Sequence, residues 1–283
     1  MKARLLFAFV LGATACLPLY GAVAPGNSTY DITARTAVPV SAVAPGPRRI
    51  EGEIAYDHLT PYDDYGAWKT ITGSFYDHPF TSFSYMVQLS GHTRKEGDGI
   101  TATAGAYKDW TSWFYTYAAL SGGTANDFLP RFRGDLDLNF KAGPMKNLVF
   151  TTGISRIDYH TSARDTLLSA GATLYLSRLI LEYRLFHNSS DPGSVESWSH
   201  VATAGYGAEG DQWTYLVLSG GGEAYLATYV APSQQVDRTF VSVQLKHRRW
   251  ISPSWGLFGS TGFLRLYNGY DKYSLSLGGF YSF

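Results

Sequence analysis

The chain closes on Tyr273-Ser274-Leu275-Ser276-Leu277-Gly278-Gly279-Phe280-Tyr281-Ser282-Phe283. Tyr273, Leu275, Leu277, Tyr281 and Phe283 fall on one side of an extended chain. Ser274, Ser276, Gly278 and Ser282 fall on the other, because successive side chains of a strand point to opposite faces. Such a strand suits either the edge of a soluble β-protein or the wall of a barrel in a membrane. Stopping on the strand's last apolar residue, with no polar tail, favours the wall. An unpaired edge with an apolar face is a template for strand pairing. Tyr281 and Phe283 are therefore expected to be the signal by which barrel-assembly machinery captures the chain.

The same alternation recurs upstream. In 131–141, Phe132, Gly134, Leu136, Leu138 and Phe140 oppose Arg131, Arg133, Asp135, Asp137, Asn139 and Lys141. In 178–186, Leu179, Leu181, Tyr183 and Leu185 oppose Arg178, Glu182 and Arg184. In 241–248, Val241, Val243 and Leu245 oppose Ser242, Gln244, Lys246 and Arg248. Segments of about ten residues separated by turn residues are the signature of a transmembrane β-barrel. Strands are expected near 50–57, 67–76, 81–91, 99–107, 112–120, 131–141, 147–159, 165–175, 178–187, 197–207, 212–220, 237–250, 255–267 and 272–283. The fold class is thus all-β, a single antiparallel transmembrane barrel of about fourteen strands, with twelve as the alternative. Tight turns such as Gly143-Pro144 and Gly210-Asp211 alternate with longer loops, the longest at 221–236. Short turns face the periplasm in such barrels, so both termini are expected there. Two segments, 213–218 and 255–266, are apolar on both faces and cannot be oriented by pattern.

Composition agrees. The chain is rich in Tyr, Phe, Trp and Gly, and its charged fraction of 16% lies below the usual quarter. A net charge of zero gives no reason to expect nucleic acid as a partner. Residues 1–24 read as a signal peptide, with Lys2 and Arg4 before the apolar Leu5–Leu11. Residues 25–48, with Pro25, Pro39, Pro45 and Pro47, read as a flexible periplasmic leader to the barrel at 49–283. Cys16 is the single cysteine, so no intrachain disulfide can form. No stretch after the signal is long and apolar enough for a spanning helix, and outer-membrane lipid is the expected surrounding.

Several runs resemble the YaiO family of outer-membrane β-barrels: Ile50–Asp57, Phe132–Asn139, Leu148–Arg156, Leu181–Arg184 and Leu218–Gly222. Phe150-Thr151-Thr152-Gly153 and Tyr183-Arg184 are the closest. The resemblance extends over about 50–283. It implies fold and location more than activity, and an association with glycans only weakly.

Chemical motifs are sparse. The seven histidines include no HExxH run and no Cys partner, so no metal is expected, and no cofactor. The nearest approach to a nucleophile elbow, Val217-Leu218-Ser219-Gly220-Gly221, has Val where the first Gly is required. No catalytic residue is assigned. The polar strand faces carry the functional expectation. Glu51, Glu53, Arg131, Arg133, Asp135, Asp137, Arg178, Glu182, Arg184, Lys246 and Arg248 are expected to line the lumen, where charges are either solvated or paired. A non-enzymatic pore or translocation barrel, its solute or glycan unidentified, is the first reading. A closed structural or ligand-binding barrel is the second, and a lipid-modifying enzyme the third. Trp68, Tyr76, Trp110, Trp113, Trp198, Trp213, Trp250, Trp255 and Tyr273 are expected in the interfacial girdles. Tyr225, Tyr229, Tyr267 and Tyr270 are candidates for sugar stacking in loops.

Overall fold

The computed structural model describes residues 48–125, 128–192, 195–227 and 234–283, with the side chains of 64, 223–227 and 234–238 left aside. The expected signal, nearly all of the leader, Tyr229 and the side chain of Tyr225 lie outside the described residues.

The strands are β1 (Arg49–Thr60), β2 (Ala67–Phe80), β3 (Phe83–Arg94), β4 (Gly97–Asp109), β5 (Phe114–Gly123), β6 (Pro130–Ala142), β7 (Leu148–Tyr159), β8 (Arg164–Tyr175), β9 (Leu179–Asp191), β10 (Val195–Ala208), β11 (Gln212–Ala227), β12 (Gln234–Trp250), β13 (Trp255–Leu266) and β14 (Asp271–Ser282). A four-residue helix, α1 (Tyr62–Tyr65), joins β1 to β2. Each strand pairs antiparallel with its sequence neighbours, and β1 pairs with β14 from Arg49↔Ser282 to Thr60↔Asp271. The barrel is therefore closed with fourteen strands, and the twelve-strand alternative falls. Closure removes every open edge, which is how a β-structure satisfies its backbone in lipid. Among the described residues no helix is long and apolar enough to cross a membrane.

Both ends of the barrel sequence lie at one rim, where the Phe283 amide donates to the Arg48 carbonyl at 2.8 Å. The short turns share this rim, called here the turn end. The loop end holds the other connections, and these are shorter than the sequence suggests. The stretch 221–236 is mostly strand, since β11 and β12 stay paired out to Ala227↔Gln234.

The outer face carries Ile54, Ile71, Leu89, Leu136, Leu216, Val243 and Leu277, all exposed. The two segments that pattern could not orient now have a face. Trp213, Val217, Phe258 and Leu264 point inward and are buried, while Leu216, Leu218 and Leu257 point out. Both faces are apolar there because the lumen has apolar belts of its own. One belt near the loop end includes Leu59, Trp68, Tyr159, Phe186, Phe240 and Leu266. Another near the turn end includes Tyr115, Val149, Tyr175, Ile180 and Trp213.

Candidate functional site

The inner wall is the candidate site. Arg184 on β9 reaches Asp137 on β6 across two intervening strands. Its Nη2 donates to Asp137 Oδ1 at 2.6 Å and its Nη1 to Oδ2 at 3.1 Å. Nη2 also donates to Ser169 Oγ on β8 at 2.8 Å. The pair is almost wholly buried, with side chains 3% and 1% exposed. Two glycines make room for it. A Cβ at Gly153 on β7 would overlap Asp137 Oδ1 and crowd Arg184, and one at Gly171 on β8 would run into the Tyr183 carbonyl oxygen and crowd the Arg184 stem. Asp137, Gly153 and Arg184 come from three of the sequence runs that resemble one family. Those runs thus meet at one ion pair laid flat on the wall.

A second cluster repeats the plan. Arg248 on β12 donates to Glu51 on β1 at 2.8 Å, across β13 and β14. Its guanidinium rests on Phe280 at 4.7 Å and Phe258 at 5.1 Å, the residues of those two strands. Arg49 pairs with the same Glu51 oxygen at 2.8 Å. Lys141 on β6 pairs with Asp109 on β4 at 3.1 Å, over the Tyr115 ring of β5. Burying ions without a partner is costly, and each strap supplies one without crossing the lumen.

Of the residues expected to line the lumen, Glu51, Glu53, Arg133, Asp135, Asp137, Glu182, Arg184, Lys246 and Arg248 sit on the inward face. Arg133 and Asp135 pair along one strand at 3.0 Å. Two do not sit there. Arg131 is exposed at a bulge, where pairing with β7 shifts between Pro130 and Phe132. Pro130 cannot donate to the ladder, so the alternation breaks one residue into the strand. Arg178 is exposed in the turn before β9, which begins at Leu179 rather than 178.

Four expected girdle aromatics also face the other way. Trp68, Tyr76 and Trp213 are buried inside the barrel, and Trp250 packs inward on Phe280 at 5.2 Å. Trp68 and Tyr76 share strand parity with Thr70, Thr72 and Ser74, a polar set that marks the inner face; position at a strand end does not decide it. Trp110, Trp113, Trp198, Trp255 and Tyr273 do face outward. Tyr270, expected in a loop for stacking, is buried against Trp68 and Tyr65, whereas Tyr267 is exposed.

Besides the partly exposed Arg133, Asp135 and Glu182, water reaches inward side chains of another kind. Gln88, Thr101, Thr103 and Ser121 on β3–β5, and Ser219, Ser242, Gln244 and Ser274 across β11, β12 and β14, face inward and are partly exposed. Hydroxyls and amides, not charges, meet the lumen at these places. Nothing in the sequence pattern separated them from the charged residues on the same face.

Histidines find scattered partners. His92 meets Thr101 at 2.9 Å inside the barrel, while His200 meets Tyr183 at 2.6 Å and His247 meets Thr214 at 2.9 Å on the outer face. Among the described residues no three His, Cys, Asp or Glu side chains could hold a metal ion.

A closed fourteen-strand barrel with an apolar exterior and a polar, ion-paired interior is an outer-membrane β-barrel. The YaiO membrane beta barrel domain matches residues 48–226, β1 into β11, and the chain belongs to that family. The match ends before β12, short of the 283 expected from the sequence. Comparison with curated proteins gives no sequence match. Among solved structures, the chain is similar to the CymD monoaromatic hydrocarbon channel (TM-score 0.57, 8% identity, covering 85% of this chain and 89% of that one). It is similar to a bacterial polysaccharide outer membrane secretin (TM-score 0.54, 8% identity, 85% and 100%). A loop-deletion mutant of OmpT, an outer membrane protein of Vibrio cholerae, matches with TM-score 0.50, 8% identity, and coverage of 83% and 98%. At such identity these likenesses concern the fold alone.

Proposed function

We propose that this barrel is a non-enzymatic passive channel for small, uncharged polar solutes. One observation carries the reading: the inward side chains within reach of water include a set of hydroxyls and amides, while the charged pairs Asp137–Arg184 and Glu51–Arg248 are buried along the wall. A lining that is neutral on balance neither concentrates nor repels ions, whereas rings of one sign set ion selectivity. Termini and short turns face the periplasm in this reading, and Tyr281 and Phe283, stacked with ring centroids 6.1 Å apart on the outer face, present the strand that assembly machinery captures. Residues 1–24 direct export, and the leader before the barrel is dispensable for its folding.

The test is uptake by proteoliposomes containing the purified protein. Neutral polyols of increasing size should enter, with a cut-off in size. Vesicles that exclude even the smallest polyol would sink the channel reading. They would favour the second one, a closed ligand-holding barrel, for which the two apolar belts speak.

A further inference from the structure

The inner wall from β12 to β1 carries the plan of the Arg248–Glu51 strap a second time, and there it stays open. Two residues nearer the loop end on each strand stand Lys246 and Glu53, again with β13 and β14 between them. Both face inward and both are buried, 8% and 4% exposed. Among the described residues neither closes an ion pair. Neither carboxylate oxygen of Glu53 has a hydrogen-bond partner, although Lys246 and Ser276 stand nearby.

The floor explains why this pair does not close. Arg248 crosses Phe258 and Phe280, whose rings carry its guanidinium to Glu51. The residues in register with Lys246 and Glu53 are Ser260 and Gly278, so no ring supports the shorter lysine stem. Lysine also ends in a point charge rather than a planar fork. The Ser260 and Ser276 hydroxyls bond each other at 2.8 Å and form a polar floor. Phe258, whose ring a Cβ at Gly278 would strike, bounds that floor toward the turn end. Gln244 and Ser274, both within reach of water, bound it toward the loop end. The recess therefore opens toward the lumen.

A buried charge without a partner is costly, and two of opposite sign on one wall call for a ligand that brings both. A simple cation at Glu53 would meet Lys246, and a simple anion at Lys246 would meet Glu53. A short zwitterion laid antiparallel to the pair sets each charge against its opposite. A primary ammonium can also donate to the Ser260 and Ser276 hydroxyls, which a quaternary one cannot. We propose that this recess binds a small α-amino acid, its carboxylate on Lys246 and its ammonium on Glu53, over the serine floor. The proposal rests on the channel reading, which brings a polar solute of no net charge to the recess, and it names the class of that solute.

Equilibrium dialysis of radiolabelled alanine against the detergent-refolded barrel tests it. The wild type should hold one alanine per barrel, saturably, and neither propionate nor ethylamine at equal concentration should displace it. Glu53→Gln and Lys246→Met should each lower the affinity about tenfold or more, the worth of one hydrogen bond to a charged group. Glu53→Gln should also keep the urea midpoint of the wild type, since no closed pair is lost. Equal alanine binding in wild type and variants would overturn the proposal, as would displacement by propionate alone or by ethylamine alone. A midpoint lowered as far as loss of the Asp137 carboxylate lowers it would overturn it too, by revealing a structural pair. Dialysis needs no conduction. Polyol passage without bound alanine therefore defeats this proposal alone, and bound alanine without polyol passage defeats the channel reading alone.

Discussion

The strap from β6 to β9 and the hydroxyl-lined stretch of β3 to β5 are built from the same alternating pattern, yet they use it differently. On β6 and β9 the inward residues Asp137 and Arg184 spend their charge on each other, over a floor cleared by Gly153 and Gly171. On β3 to β5 the inward Gln88, Thr101, Thr103 and Ser121 remain within reach of water. The difference teaches that this barrel uses some inward charges as structural pairs and leaves neutral polar side chains within reach of water elsewhere on the same face. Substitutions in the first region should therefore alter stability, and those in the second should alter permeation.

The largest effect is expected from breaking the strap. Asp137→Ala leaves Arg184 buried without its carboxylate and should cost about 3–5 kcal/mol, read as a lower urea midpoint of the barrel in detergent. The double variant Asp137→Ala with Arg184→Met should recover much of that loss, because no charge is then stranded. Equal stability of wild type and Asp137→Ala would mean that the pair is solvated.

A smaller effect is expected at the floor. Gly153→Ala pushes a Cβ against Asp137 and should cost about 1–3 kcal/mol. In an Asp137→Ala background most of this cost should vanish, and a double-mutant cycle measures the difference. Additive costs would show that Gly153 serves the backbone rather than the ion pair.

The neutral region should respond in the opposite sense. Thr103→Asp should leave the unfolding free energy within about 0.5 kcal/mol of wild type while shifting the reversal potential towards cations, since lumen substitutions tune selectivity. A destabilised barrel with unchanged selectivity would erase the distinction between the two regions.

A last effect, read against pH rather than at one pH, concerns Glu209, in the turn between β10 and β11. Burial pushes its carboxyl up to about 7, against the pull of Arg49 and Arg248. The folded barrel then holds this proton more tightly than the unfolded chain does. The contribution to stability is full below the unfolded value of about 4.3 and is lost as pH rises through about 7. Glu209→Gln should flatten the decline of the urea midpoint across that window, and an unaltered slope would remove Glu209 from the account.

Much of the fold was legible because a barrel wall writes its two solvents into every second residue. Phe132 through Lys141 and Leu179 through Leu185 could be oriented from alternation alone. Alternation fails where the interior is itself apolar, as at Trp213 and Val217 or Phe258 and Leu264. It also fails where a bulge inserts a residue, as at Arg131. The inward charges could be named, but their partners could not. Asp137 meets Arg184, three strands away, because the long guanidinium side chain reaches across β7 and β8 past Gly153 and Gly171. Period-two reading contains no such reach. Gly153, singled out in the sequence as part of a family-like run, showed its purpose only once the strands lay side by side.

The proposed function, a channel with a neutral lining, is tested most directly by the reversal potential of the wild-type protein in a salt gradient. A conducting barrel with a reversal potential near zero, and therefore comparable passage of cation and anion, is the result this account predicts. A strong preference for either ion would contradict it, because one sign of charge would then dominate the path that the solute takes.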